Sequence, residues 1–230
     1  MAGRPGGWPS KYVPPMGEAL LDTEQGTLTI VSVLILYGDS ASAELAGRMA
    51  LEVETAWNTP QAEVMIGGDS FRVGFSVQGL YRPGISPDEI HKNLDSRNNY
   101  FRVEDFCRLH ISFVDEIGCN TGYFLLDNLV NGSLTAAHEY GHTIGLDHPV
   151  QLDIRGQGQP GIMYPRGSLV DPSYQWDPAV PAGTVGGTLN PARRRVLPSD
   201  VEALGLERLR FDGHGRSVLG EFTNLYHPRH

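Results

Sequence analysis

Residues 138–148 have the sequence HEYGHTIGLDH, which brings three histidines and one glutamate into a short stretch. His138 and His142 are four residues apart, so on a helix their imidazoles project from one face and can share a metal ion. Glu139 directly follows the first histidine, near enough to act as a general base toward a water at that metal. The stretch therefore predicts a metal site built on a helix.

The neighbouring residues predict where that helix begins and ends. A helical pattern runs from residue 134 to 144, and Ser133 is the N-cap candidate. A helix continued to His148 would carry its side chain about 15 Å along the axis from His138, too far for one shared ion. Gly145 can adopt a positive φ without steric penalty, so it is placed to end the helix and let the chain turn back. Three neutral imidazoles leave the fourth position of a tetrahedral Zn²⁺ open, as in catalytic sites.

The spacing His-Glu-x-x-His-x-x-Gly-x-x-His, followed by GIMYP at residues 161–165, resembles that of the metzincin zinc endopeptidases. The resemblance implies that the three histidines bind zinc and that Glu139 is the general base and acid. It implies that Met163 packs beneath the metal without binding it. It also implies that Tyr164, Pro165 and the loop after them line the pocket for the residue that follows the cleaved bond.

The fold implied by the resemblance covers about residues 28–210 and belongs to the α/β class, or to α+β by some counts. It has a twisted, mixed and mostly parallel sheet, an active-site helix, a methionine-containing turn and a C-terminal helix. The helix and turn look most like those of matrixins, whereas Pro149 after the third histidine is typical of serralysin-type metzincins. Residues 150–160 are an insertion relative to matrixins, and no cysteine-switch segment precedes the motif. We therefore expect any latency to come from residues 1–26 or from a proteinaceous inhibitor.

Hydrophobic patterns predict the other elements in outline. A buried strand at 28–37 is followed by a helix from a cap at Asp39 or Ser40 to about Trp57, and residues 62–82 form further strands. The remaining predictions are a short helix that begins at 86–89, strands at 108–114 and 123–126, and a helix capped by Ser199 or Asp200 that runs to about 209.

By composition the chain divides into an arm and one domain. Residues 1–26 are rich in Gly and Pro and should be extended or irregular. Residues 27–230 should form a single catalytic domain, with a long irregular loop at about 149–197. A chain of 230 residues is long enough to bury the core of one such domain.

The composition also disfavours several kinds of partner. Lys and Arg total 18 against 27 Asp and Glu, a formal net charge of −9, which argues against nucleic acids and anionic membranes. The longest apolar run, at 28–37, is about half as long as a membrane span and follows acidic residues. We therefore expect no membrane anchor and no Sec signal. The expected protein is a monomer, secreted or otherwise exported or delivered, with a protein or peptide substrate.

The sequence leaves two chemical alternatives open. Cys107 and Cys119 either form one disulfide or are two separate buried thiols. Two thiols are too few for a cysteine-based zinc site, which leaves Zn²⁺ to the histidines. Acidic loop residues such as Asp153, Asp171 and Asp177 either bind Ca²⁺ or are solvated, and solvation is favoured because their spacing matches no calcium loop.

Three functional hypotheses follow. An active zinc endopeptidase is favoured, because the sequence keeps the general base and all three ligands. The alternative of a different class is a zinc-binding pseudo-protease or interaction module whose long loop covers the cleft. The third hypothesis concerns where the protein acts and on which target. The lack of a Sec signal suits a toxin or effector protease that is delivered into another cell and acts on a narrow target.

Overall fold

A mixed sheet flanked by helices forms the centre of the molecule. The computed structural model describes residues 17–130 and 132–230. In these residues the strands are β1 (Glu18–Asp22), β2 (Thr27–Tyr37), β3 (Glu63–Ile66), β4 (Asp69–Tyr81), β5 (Asn98–Glu104), β6 (Phe113–Val114), β7 (Thr121–Leu125) and β8 (Arg216–Val218). The helices are α1 (Ala43–Asn58), α2 (Pro87–His91), α3 (Leu126–Val130), α4 (Thr135–Thr143) and α5 (Pro198–Ala203), with 3₁₀ turns at Pro172–Tyr174, Pro191–Arg193 and Leu206–Arg208.

The sheet is parallel in its middle and antiparallel at its ends. Strands β4, β2, β5 and β7 run parallel in that order, whereas β3 and β6 are antiparallel to their neighbours. β1 pairs antiparallel with the first half of β2 and with β8. Parallel neighbours need a crossover connection, and α1 lies in the one between β2 and β4. The α/β class is therefore confirmed at the level of a mixed sheet with helices.

Helix α1 forms where the sequence predicts a helix but begins slightly later. Ser42 is its N-cap, and the Ser42 hydroxyl accepts a hydrogen bond from the Leu45 amide at 3.1 Å. The predicted caps have other partners, because Ser40 Oγ donates to Asp105 and the Asp39 amide donates to Glu104. The residues at four-residue spacing, Leu45, Met49, Val53 and Trp57, are all buried.

The two faces of the sheet are covered by different parts of the chain. The larger core lies between the sheet, α1 and α4. On the other face, Tyr226 stacks on Tyr37, and the Tyr37 hydroxyl accepts a hydrogen bond from the His227 amide at 2.9 Å. Cys107 and Cys119 are buried and free, which confirms the interpretation as two separate thiols. None of the described helices has the length and apolarity needed to span a bilayer.

Three elements differ from the sequence-based expectation. Residues 98–104 form the buried strand β5, which their polar composition did not indicate. The strand predicted at 108–114 is reduced to β6, because the chain turns before it and His110 has a φ of 55°. Helix α5 begins at Pro198, and Asp200 accepts from the Leu197 amide at 2.7 Å instead of capping the helix.

The predicted N-terminal arm also needs a correction. Residues 18–22, inside the predicted arm, form strand β1 and pair with β2. Residues 1–16 lie outside the described residues. The sheet therefore begins before the predicted domain boundary at residue 27.

Candidate metal centre

Helix α4 carries two of the three histidines and is fixed to the core by buried polar contacts. The indole Nε1 of Trp57 donates to the carbonyl of Ala137 at 3.0 Å. On the next turn, the hydroxyl of Tyr140 lies 2.9 Å from Ser32 Oγ on β2. These contacts hold α4 on α1 and on the sheet, so the opposite helix face is free to carry ligands.

The start of α4 differs from the prediction. The N-cap is Leu134, with a φ of 54° and no side-chain cap. Ser133 was predicted to cap the helix, but its hydroxyl donates to the carbonyl of Asn128. The carboxylate of Glu52 on α1 faces the amides of Ala136 and Ala137. Burial raises the pKa of Glu52, and the two amides oppose this rise. A side chain from another helix thus supplies the negative charge that the positive end of α4 favours.

The end of α4 turns the chain back, as the spacing of the third histidine requires. Gly145 has a φ of +102°, and its amide donates to the carbonyl of His142 at 3.1 Å. The amide of Leu146 reaches the carbonyl of Gly141 at 2.9 Å. This pair of bonds is a Schellman motif, in which glycine tolerates the left-handed conformation. The predicted role of Gly145 in ending the helix agrees with this geometry.

The three histidines of the motif converge on one point. His148 Nε2 lies 3.1 Å from His138 Nε2 and 3.2 Å from His142 Nε2. One nitrogen from each ring lies within 4.8 Å of the others. The cluster can therefore hold a metal ion.

Backbone carbonyls and desolvation favour the tautomer and the neutral charge that an imidazole needs to bind a metal. His138 Nδ1 lies 2.7 Å from Ile162 O, and His142 Nδ1 lies 2.7 Å from Leu146 O. A ring that donates from Nδ1 leaves the lone pair of Nε2 free for a metal. Desolvation lowers the pKa of all three histidines below the ordinary value of 6.5, through burial for His138 and His142 and through partial shielding from solvent for the more exposed His148. They are therefore neutral at pH 7, as metal binding requires.

Met163 lies under the ligand-bearing helix. It is 3% exposed, and its sulfur packs so closely on Gly141 that a β-carbon there would overlap it. The same β-carbon would lie 3.2 Å from the Trp57 ring. Met163 thus supports α4 midway between its two histidines.

Glu139 shares a cavity of about 350 Å³ with two of the histidines. Its burial raises the pKa of the carboxyl to about 8, although the cations Arg194 and Arg166 and the Val114 amide on β6 oppose the rise. The cavity is lined by Ile111, Ser112, Asn128, Thr135, His138, Glu139, His148, Pro165, Arg166, Gly167 and Arg194. A carboxyl group and two of the clustered imidazoles therefore face the same space.

Arg194 is the residue of this site that the sequence analysis missed. It is 3% exposed, and burial lowers the pKa of its guanidinium to about 10. It donates to the carbonyls of Pro191, Tyr164 and Ser133 at 3.2–3.3 Å, and its Nη1 lies 2.8 Å from His138 Nδ1. The signal in the sequence is a run of three arginines, 193–195, but their order alone does not show which one is buried.

The two residues predicted to line the substrate pocket separate in the structure. Pro165 lines the cavity with Glu139, whereas Tyr164 lines a different cavity behind Met163. The ring of Tyr164 packs on a small apolar cluster made by Ile154, Val170 and Leu189. Ile154 belongs to the insertion at 150–160, so the insertion anchors the long loop.

The acidic loop residues have protein partners. Asp153 forms an ion pair with Arg155 at 2.6 Å, and Asp171 accepts from the Gly156 amide at 2.9 Å. Asp177 accepts from the Ala179 amide at 2.9 Å. Within residues 17–130 and 132–230, the three histidines are the only group of three or more His, Cys, Asp or Glu gathered as a metal could require.

Comparison with known proteins adds no relative. No protein-family model matches the chain, and no curated protein matches it.

Proposed function

We propose that this chain is a zinc-dependent endopeptidase in which His138, His142 and His148 hold the metal and Glu139 is the general base and acid. The observation that carries the proposal is the convergence of three neutral imidazoles, two of which line one cavity with a buried carboxyl group. The metzincin resemblance of the motif and of the GIMYP turn points to the same chemistry.

The donor set and its spacing fit zinc. Zinc–nitrogen bonds of about 2.0–2.1 Å in a tetrahedron place two ligand nitrogens about 3.3 Å apart. The separations of 3.1 and 3.2 Å between Nε2 atoms are close to that edge. Three protein ligands also leave one position open, which distinguishes a catalytic from a structural zinc site.

The chemistry needs one proton carrier from the protein. A bound zinc ion supplies Lewis acidity that polarises a carbonyl group and acidifies water. A carboxylate oxygen of Glu139 accepts the proton of the attacking water and delivers it to the nitrogen of the leaving amine as the peptide bond breaks. In the metal-free protein, burial raises the pKa of Glu139 to about 8, close to the neutral pH at which a general acid–base group is most effective.

The edge of the sheet provides a surface for an extended peptide. β6 is the last strand beside the cavity, and Ile111 and Ser112 directly before it line the cavity. An extended segment that adds to an edge strand gains main-chain hydrogen bonds without a particular sequence. This arrangement favours a protein or peptide substrate over a small molecule.

The test compares two glutamate substitutions in the zinc-loaded protein. Glu139→Gln should lower cleavage of an unfolded proteome by at least about 100-fold, because general acid–base catalysis contributes that much or more. Glu44→Gln, an exposed substitution on α1, should cleave like the wild type. New N-termini are counted by mass spectrometry, and zinc content is measured in each preparation.

Two outcomes would overturn the proposal. Equal cleavage by Glu139→Gln and the wild type would remove Glu139 from the mechanism. A wild-type protein that holds one zinc ion yet yields no new N-termini would instead be a zinc-binding interaction module.

A further inference from the structure

The cavity beside Glu139 is positively charged in an otherwise acidic chain. Arg166 and Arg194 line it, and among residues 17–130 and 132–230 Glu139 is the only carboxylate that does so. The chain as a whole has a formal net charge of −9. The cavity therefore has more cationic than acidic side chains, whereas the chain as a whole has more acidic ones.

Arg194 has hydrogen-bond acceptors but no direct ion pair. Its nitrogens donate to three backbone carbonyls, which orient the guanidinium without neutralising it. Within the described part of the chain, no carboxylate lies within ion-pair distance of it, and Glu139 and Glu52 act on it only from farther away. A buried charge is stabilised when an opposite charge reaches it. Arg194 therefore gives the cavity a fixed positive charge that no direct ion pair neutralises.

Arg166 is held at the same cavity by a polar bridge. Its Nη2 donates to Asn128 Oδ1 at 2.8 Å, and Asn128 Nδ2 donates to Ser112 Oγ at 3.1 Å. Asn128 and Ser112 line the cavity as well. Arg166 is exposed, so its remaining N–H groups are open to an incoming ligand.

We infer that this cavity binds a carboxylate of the substrate. The inference rests on the proposed function and adds the substrate class to it. The carboxylate comes either from an Asp or Glu side chain of the substrate or from the C-terminus of a peptide that ends in the cavity. Both sources present the planar, anionic group that guanidinium binds with two parallel hydrogen bonds.

The first test measures binding to the metal-free protein, which does not depend on catalysis. Fluorescent peptides that differ only at one position carry Glu, Gln or Leu there. A fourth peptide ends at that position with a free carboxylate, and a fifth ends with an amide. The Glu peptide should bind about tenfold more tightly than the Gln peptide. The two terminal peptides show whether a terminal carboxylate is accepted instead.

The second test changes the charge of the cavity at its exposed residue. Arg166→Gln should reduce the Glu-to-Gln binding ratio by several-fold, and Arg166→Glu should shift the preference toward a Lys peptide. Arg193→Gln is the matched control, because Arg193 is exposed and does not line the cavity.

Cleavage of the same peptides by the zinc-loaded wild type separates the two proposals. Cleavage without preference for a carboxylate would overturn the inference and leave the endopeptidase. Carboxylate-dependent binding without cleavage would overturn the endopeptidase and leave an anion-binding cleft. Equal binding ratios in the wild type and Arg166→Glu would overturn the inference directly.

Discussion

The two sides of the metal-site cavity are built in different ways. The helix wall consists of Thr135, His138 and Glu139 on α4, which packs on the main core through Trp57 and Tyr140. The loop wall consists of Pro165, Arg166, Gly167 and Arg194, which lie in irregular segments. It is held by backbone carbonyls around Arg194 and by a small apolar cluster of its own.

This difference suggests that the two walls have different roles in the proposed function. The helix wall holds the groups assigned to chemistry, for which small errors in position are costly. The loop wall holds the cations assigned to substrate choice, and loops tolerate sequence change more easily than core helices. The predictions below test whether the helix wall is the more sensitive of the two.

The largest expected effect comes from a pair of tryptophans, one buried beside the helix wall and one exposed in the long loop at 149–197. Trp57 is 1% exposed and bonded to α4, whereas Trp176 is 54% exposed. Trp57→Ala should lower the free energy of unfolding by about 3–5 kcal/mol, the usual cost of a large cavity in a core. Trp176→Ala should cost no more than about 1 kcal/mol. Urea denaturation of the metal-free variants measures both, and equal losses would remove the distinction between the walls.

The second-largest effect is expected from substitutions at a pair of glycines. Gly141→Ala introduces a methyl group that overlaps the Met163 sulfur, and overpacking of this kind costs about 1–3 kcal/mol. It should also weaken zinc binding, because α4 must shift under its histidines. Gly167→Ala on the loop wall meets no atom within 4 Å and should leave zinc affinity unchanged. Competition with a chromophoric chelator measures the affinities, and an unchanged affinity in Gly141→Ala would contradict the supporting role of Met163.

The smallest effect concerns Asp200, which accepts from the amides of Leu197 and Ile162. Burial raises its pKa above the ordinary value of 3.8, although those amides oppose the rise. A group with a raised pKa contributes stability that is complete below its unfolded pKa and is lost as pH rises through its folded pKa. As pH falls from 7 toward 4, the wild type should therefore gain stability relative to Asp200→Asn. Metal-free melting curves at the two pH values check this, and a constant difference would contradict it.

The sequence predicted the helix wall better than the loop wall, for a physical reason. Two histidines four residues apart specify a shared face only on a helix, and Gly145 marks its end. By contrast, the buried position of Arg194 depends on carbonyls from three separate segments. No local pattern encodes such long-range contacts.

Strand β5 was missed for a similar reason. Its polar residues are satisfied by partners that only the folded chain provides: Arg102 Nη1 donates to the carbonyl of His227, and Glu104 accepts from the Asp39 amide. The N-cap of α1 is a smaller example of the same difficulty. Ser40 and Ser42 each have a hydroxyl that can cap a helix, so residue type alone does not decide between them. The structure selects Ser42 because Ser40 is engaged by Asp105.

The contact between His138 and Ile162 has a consequence for how the protein is made. The carbonyl of Ile162 orients His138, and the amide of the same residue is bound by Asp200. A nascent chain that has left the ribosome only as far as residue 160 contains all three histidines but neither of these supports. Completion of the histidine cluster must therefore wait for synthesis of the C-terminal helix, so a chain that ends at residue 160 does not carry the finished cluster.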